Sequence, residues 1–176
     1  MGRIDGNNRR KKRIPIMNKA IYAGTFDPVT LGHMDVVERA SRLFDQVLVT
    51  VATNSRKKPL FSVEERLDML RESTATLTNV TCGRFDGLLI DFAVQQGASV
   101  LIRGLRGTGE FDYEQQMAHV NRRLNEQVVS IFMMPHEKYA YVNSSIVREV
   151  ASYGGSVEAL VTPEVAVRLR EKFKKQ

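Results

Sequence analysis

Hydrophobic positions along the chain alternate between short, nearly continuous apolar runs and longer stretches with helical spacing. The runs at 20–23, 46–52, 80–85, 99–102 and 128–133 predict five strands. The second, Gln-Val-Leu-Val-Thr-Val-Ala, reads as a strand covered on both faces. Between the runs, residues 33–44 repeat apolar positions at Val36, Ala40 and Leu43 and at Val37, Ser41 and Phe44, which predicts a helix. A capping box, Ser62-Val63-Glu64-Glu65, opens another helix with Val63, Leu67 and Leu70 as its buried stripe. A short helix over 88–96 is closed by Gly97, and a polar one starts near Glu110 with Tyr113, Met117, Val120 and Leu124 on one face. Two more helices follow, one near Ser144 and one introduced by Thr162-Pro163.

Strands joined by helical crossovers predict an α/β fold, a parallel sheet wound on both faces. Ligands of such sheets gather beyond the carboxyl ends of the strands, where the winding reverses. Three polar stretches, 24–33, 103–106 and 139–145, each follow a predicted strand and should converge on that edge.

Composition narrows the function classes. The 176 residues suffice for one domain with a core of its own, and no run is apolar enough to span a membrane. The single cysteine, Cys82, can form neither an internal disulfide nor a thiolate zinc site, which points to a reducing cytoplasm. The net charge of +6 suggests nucleic acid until it is located: residues 1–16 carry +5 of it, so the body from Met17 is near +1. The basic segment 1–16 lacks hydrophobic periodicity and is expected to be disordered. It reads as an upstream extension, an expression remnant or a mis-set start, against a basic arm for RNA, DNA or an acidic surface. Residues 17–176 form the domain, and nothing in it adds a basic patch with stacking aromatics, so a nucleic-acid partner is not expected.

The candidate chemistry is that of phosphates. The turn after the first strand, Thr25-Phe26-Asp27-Pro28, leads to Gly32-His33 at a helix start, where unpaired amides attract anions. There is no Gly-x-Gly-x-x-Gly fingerprint, Walker loop or Ser/His/Asp set. His33, Lys57, Arg103 and Arg106 lie on or just after strand ends, and Ser144 and Ser145 open a helix. His119 and His136 have no ligand-like spacing, and Met117, Met133 and Met134 read as packing residues.

Thr25-Phe26-Asp27-Pro28 with Thr30-Leu31-Gly32-His33, Lys57-Lys58-Pro59, Leu101-Ile102-Arg103-Gly104-Leu105-Arg106, Phe111-Asp112-Tyr113-Glu114 and Asn143-Ser144-Ser145 together resemble the bacterial phosphopantetheine adenylyltransferases of the nucleotidyltransferase superfamily. The resemblance runs from Met17 to the last helix. It implies a single Rossmann-like, doubly wound domain with C-terminal helices, cytoplasmic and hexameric, that uses Mg2+ to join ATP and 4′-phosphopantetheine into dephospho-coenzyme A and pyrophosphate. It implies that Lys57 and Arg103, with Thr25, bind the attacking phosphate and that His33 donates to the α-phosphate. Arg106, Ser144 and Ser145 would then hold the outer phosphates. Phe26, Gly104, Leu105, Glu114, Tyr139, Ala140, Tyr141, Val142 and Asn143 match nucleotide-binding positions, and Leu89 one that touches the pantetheine arm. Leu89 and Leu105 read equally as core leucines, Glu114 as a solvated helix residue and Lys57 as a loop lysine. Ala23, Leu31, Asn143 and Gly107-Thr108-Gly109 depart from the commonest family pattern. The rivals are a nicotinate mononucleotide adenylyltransferase, which has no reason to carry Arg-Gly-Leu-Arg, and a non-catalytic nucleotide- or RNA-binding module.

Overall fold

The structure is a computed structural model and describes residues 18–53 and 58–174; the segment 1–16 and Lys57 lie outside them. The strands are β1 (Lys19–Gly24), β2 (Gln46–Ala52), β3 (Val80–Phe85), β4 (Val100–Gly104) and β5 (Val129–Met133). They form one sheet in the order β3-β2-β1-β4-β5, and every pairing is parallel. The chain winds outward from β1 through β2 to β3, then returns to the other side of β1 with β4. Its winding therefore reverses between β1 and β4.

The helices are α1 (Leu31–Leu43), α2 (Val63–Ser73), α3 (Leu89–Gln95), α4 (Thr108–Leu124), α5 (Ser144–Ser152) and α6 (Pro163–Lys174), with a 3-10 turn over Glu137–Tyr139. Alternation along the strands separates two cores. Ala20, Tyr22, Val49 and Ile102 face a large cluster with Val37 of α1, Leu70 of α2, Val147 of α5 and Leu169 of α6. Ile21, Ala23, Leu48 and Leu101 face a smaller cluster with Ile90 and Ala93 of α3. Both faces are covered, which is why the strands read as unbroken apolar runs. No helix among the described residues is long and apolar enough to cross a membrane.

Apolar residues are exposed in three places, and those at Met117 and Met134 correct an expectation. Leu43 is 68% exposed, because it ends α1 while Phe44, already extended, turns onto the core instead. Met117 and Met134 are exposed rather than packed, and only Met133 is buried. The stripe of Tyr113, Met117, Val120 and Leu124 along α4 is exposed as well, so the apolar face of that helix points away from the sheet. Cys82 is half-buried against the larger core, and burial raises its thiol pKa.

Candidate functional site

The loop after β1 is built to fold tightly. A Cβ on Gly24 would lie 3.0 Å from the Phe26 ring, so a side chain there would press on the ring and require it to shift. Phe26 adopts a left-handed φ of 49°, unusual for a bulky residue, and is held there by burial between Tyr22 and His33, with ring centroids at 5.4 and 5.1 Å. The Asp27–Pro28 peptide is cis. The Asp27 carboxylate is buried and accepts the amides of Leu60 and Phe61 at 2.9 Å each, and Nη1 of Arg148 at 3.1 Å. Arg148 also donates to the Asp27 carbonyl. Beneath the loop, the fully buried Arg66 donates to the Thr25 carbonyl at 2.8 Å.

Thr30 caps α1 through a reciprocal pair of bonds with His33. Its Oγ1 accepts the His33 amide at 3.3 Å, and its own amide donates to Nδ1 of the imidazole at 3.1 Å. A backbone N–H can only donate, so Nδ1 is unprotonated and the ring proton sits on Nε2. Burial, reinforced by the charge of Arg106, lowers the His33 pKa to about 3. The imidazole is thus neutral at physiological pH, with one oriented N–H to offer.

Arg103 and Arg106 leave the end of β4 and meet carboxylates from α4. The Arg103 fork grips Glu114, with Nε to Oε2 at 2.7 Å and Nη2 to Oε1 at 2.6 Å, while Nη1 donates to the Ala23 carbonyl at 3.1 Å. Burial disfavours the guanidinium charge, but Glu114 more than offsets it and raises the Arg103 pKa above its ordinary value. Arg106 donates through Nη2 to Glu110 at 3.0 Å and through Nη1 to the Val142 carbonyl at 3.3 Å. Between the arginines, the Tyr22 hydroxyl lies 3.0 Å from where a Cβ on Gly104 would stand. Burial pushes this phenol up to about 12, so it stays protonated.

At the start of α5, the Asn143 side chain accepts the Ile146 amide at 2.9 Å and caps the helix. Ser144 Oγ donates to the Pro28 carbonyl at 2.8 Å, tying this helix start to the β1 loop. Arg148 donates to Ser145 Oγ at 3.3 Å.

These segments enclose one cavity of about 930 Å³ at the carboxyl ends of β1 and β4. His33 and Arg103 both line it. So do Thr25 and Phe26 from the first loop, Gly104, Arg106 and Glu114 from the β4 side, and Ala140, Tyr141, Val142, Asn143, Ser144 and Ser145 from the approach to α5. Three other residues named from the sequence do not line it. Leu105 is buried beneath the rim, and Leu89 packs beside the smaller core. Tyr139 lies partly buried against the larger core, its carbonyl near Gly32. Lys57 falls outside the described residues, but Lys58 and Pro59 next to it line the cavity. Sequence reasoning missed Tyr22, Asp27, Glu110 and Arg148. Of these only Glu110 left a local signal, four residues after Arg106.

Lys58, Arg103, Arg106 and Arg148 bring positive charge to the cavity, and the carboxylates that face it, Asp27, Glu110 and Glu114, are each bonded to one of these arginines. Such a site can bind phosphate groups and stabilise charge developing between them. Among the described residues it presents no exposed nucleophile with an adjacent base, and no group of three potential metal ligands.

Comparison with known proteins places the chain in a family. The family profile described as cytidylyltransferase-like matches residues 21–150. A protein of Symbiobacterium thermophilum named phosphopantetheine adenylyltransferase is 55% identical over 90% of this chain and 98% of its own. One of the same name from Caldanaerobacter subterraneus subsp. tengcongensis is 49% identical over 90% of this chain and 99% of its own. A solved structure from Vibrio parahaemolyticus, provisionally described as a nicotinate-nucleotide adenylyltransferase, superposes with a TM-score of 0.61 at 22% identity, covering 87% of this chain and 99% of that one, a likeness of fold alone. The chain belongs to the cytidylyltransferase-like nucleotidyltransferases and, within them, to the phosphopantetheine adenylyltransferase family.

Proposed function

We propose that this protein transfers the adenylyl group of ATP to 4′-phosphopantetheine, giving dephospho-coenzyme A and pyrophosphate. The observation that carries the reading is the meeting of the His33 imidazole and the Arg103 and Arg106 guanidiniums in one cavity at the reversal of the sheet. The chemical obstacle is repulsion, because a phosphate anion must attack the α-phosphorus of another polyanion. Each pair of unit charges about 4 Å apart repels by about 4 kcal/mol at an effective dielectric near 20.

Arg103, Thr25 and Lys57 would hold the attacking phosphate, and Arg106 with the start of α5 would hold the outer phosphates of ATP. One oxygen of the attacking phosphate forms the new bond to the α-phosphorus as the bond to the bridging oxygen breaks, and pyrophosphate leaves with that electron pair. His33 meets the requirement at the centre. Its neutral Nε2–H can donate to a non-bridging α-phosphate oxygen as charge builds there, without itself losing a proton. The nucleophile is already ionised, so positioning and electrostatics suffice.

The donor set suits magnesium arriving on the ATP phosphates rather than a protein cage, since the cavity carboxylates are each held by an arginine. Bound there, magnesium would neutralise charge on the phosphates. We also propose that the protein is cytoplasmic and assembles with copies of itself, as a hexamer by family resemblance. The exposed stripe of Tyr113, Met117, Val120 and Leu124 on α4 supports a second copy as its cover.

The test is pyrophosphate release by the purified protein. Release with ATP and 4′-phosphopantetheine supports the proposal. Release with nicotinate mononucleotide but not phosphopantetheine overturns it.

A further inference from the structure

We propose that Glu110 and Glu114 are positioning residues, which hold the guanidinium groups of Arg106 and Arg103 in the orientation the phosphate-bearing substrates require. The two glutamates are four residues apart in the first turns of α4 and so lie on one face of the helix, one above the other. The arginines they hold flank Gly104 and Leu105 at the end of β4. One helix face therefore serves both cations.

The grip on Arg103 is complete enough to set the plane of the group. A guanidinium has five N–H bonds. Two go to the oxygens of Glu114 and one to the Ala23 carbonyl. The two that remain are the ones a phosphate can meet, and their direction is fixed by the three already made. Both Glu114 oxygens are engaged, and the Glu114 side chain is only 12% exposed, so its first task is to hold this arginine. Glu110 does the same for Arg106 with a looser hold. Its Oε1 accepts Nη2 at 3.0 Å and its Oε2 accepts the Arg106 amide at 3.3 Å, on a side chain 43% exposed.

Removing the Glu114 charge should impair turnover while sparing binding. The cavity becomes more positive, so phosphate binding is kept or strengthened, but Arg103 loses its fixed direction and the aligned transition state is lost.

The kinetic part of this inference rests on the proposed adenylyl transfer, and the structural part does not. In the full-length protein, the Arg103 Nε–H signal in 15N NMR should exchange with solvent about tenfold more slowly than those of exposed arginines, and Glu114→Gln should abolish that protection. In steady-state assays Glu114→Gln should lower kcat by about tenfold or more, with the KM for 4′-phosphopantetheine unchanged or reduced. Glu114→Asp, which keeps the charge but shortens the reach, should also lower kcat. Glu110→Gln should do so by a smaller factor, about threefold.

An unprotected Arg103 Nε–H in the wild type would overturn the proposal. So would a rise in the ATP KM with kcat within about threefold, which would make Glu114 a nucleotide contact. If the wild type does not transfer adenylyl groups, the proposed function fails while the exchange measurement still decides this inference. If Glu114→Gln does not fold, as read by circular dichroism, the wild-type exchange data and Glu114→Asp decide it.

Discussion

Replacing Asp27 by asparagine removes an acceptor without creating a cavity, and its cost follows from the bonds the carboxylate makes. Asp27 is 3% exposed, and its oxygens accept the Leu60 and Phe61 amides and the Arg148 guanidinium. Asparagine has one acceptor oxygen. Whichever way the amide turns, its NH2 faces a backbone N–H, and a buried donor left unmatched costs about 1–3 kcal/mol. The charge-assisted bond from Arg148 is weakened as well, a type of bond worth about 1.5–3 kcal/mol. Because the Arg148 side chain keeps 29% of its exposure, the lower part of each range applies, and the expected loss is about 3 kcal/mol.

In a domain of this size that loss lowers Tm by about 6–12 °C. Thermal melts and urea titrations of the same preparation measure it, with an unchanged urea slope showing that the folded state is otherwise intact. Lys58 and Pro59, which line the cavity, directly precede the anchored amides, so the KM for 4′-phosphopantetheine should rise in the same variant. A stability loss below about 1 kcal/mol would refute the reasoning, since it would mean that the carboxylate does not hold this loop.

His33→Ala removes one donor from the transition state and should lower kcat by about 10²–10³, with the ATP KM within about threefold; an equal loss in both constants would make His33 a binding residue. The same side chain should make stability depend on pH. Its folded pKa of about 3 lies below the ordinary value of 6.5, so between those limits the unfolded chain binds more protons and stability rises with pH. The penalty is absent above 6.5 and reaches up to about 2 kcal/mol at pH 5. Urea titrations across this range should show the wild type losing more stability than His33→Ala on acidification, and equal losses would contradict the partly buried, neutral imidazole. Val120→Asp places a charge in the exposed stripe of α4 and should shift the sedimentation profile toward smaller species; a wild type that sediments as a monomer would remove the basis for that stripe as an interface.

What could be read from the sequence was whatever leaves a local or periodic trace. The five strands showed as apolar runs because both faces of the sheet are covered, and the Ser62 box showed because its partners are three residues apart. The loop from Thr25 to His33 was legible as a candidate phosphate site, but the reason His33 stays neutral was not. That depends on burial and on Arg106, brought close only by the fold. Asp27 and Arg148 are 121 residues apart, so nothing local links them. Arg66 sits in a helix whose pattern marks it as polar surface, yet it is fully buried because the Thr25 and Ser62 carbonyls accept its guanidinium N–H groups. Leu89 and Leu105 are the converse case. A motif match named them as site residues, while Leu105 is buried and Leu89 packs beside the smaller core, the packing role that each leucine also read as from the sequence.

The pairing of each cavity arginine with a carboxylate explains how the site can hold three guanidiniums without being unstable. A guanidinium buried alone would cost several kcal/mol, about as much as a sizeable fraction of the stability of a whole domain. Supplying each one with a carboxylate offsets part of that cost and fixes its direction, but it also lowers the net positive charge of the cavity. A phosphate bound here would therefore meet the N–H groups left over rather than a bulk potential. A site of this kind discriminates by geometry: a polyanion of the wrong shape meets guanidiniums already satisfied, while one that reaches the free edges of Arg103 and Arg106 together gains both.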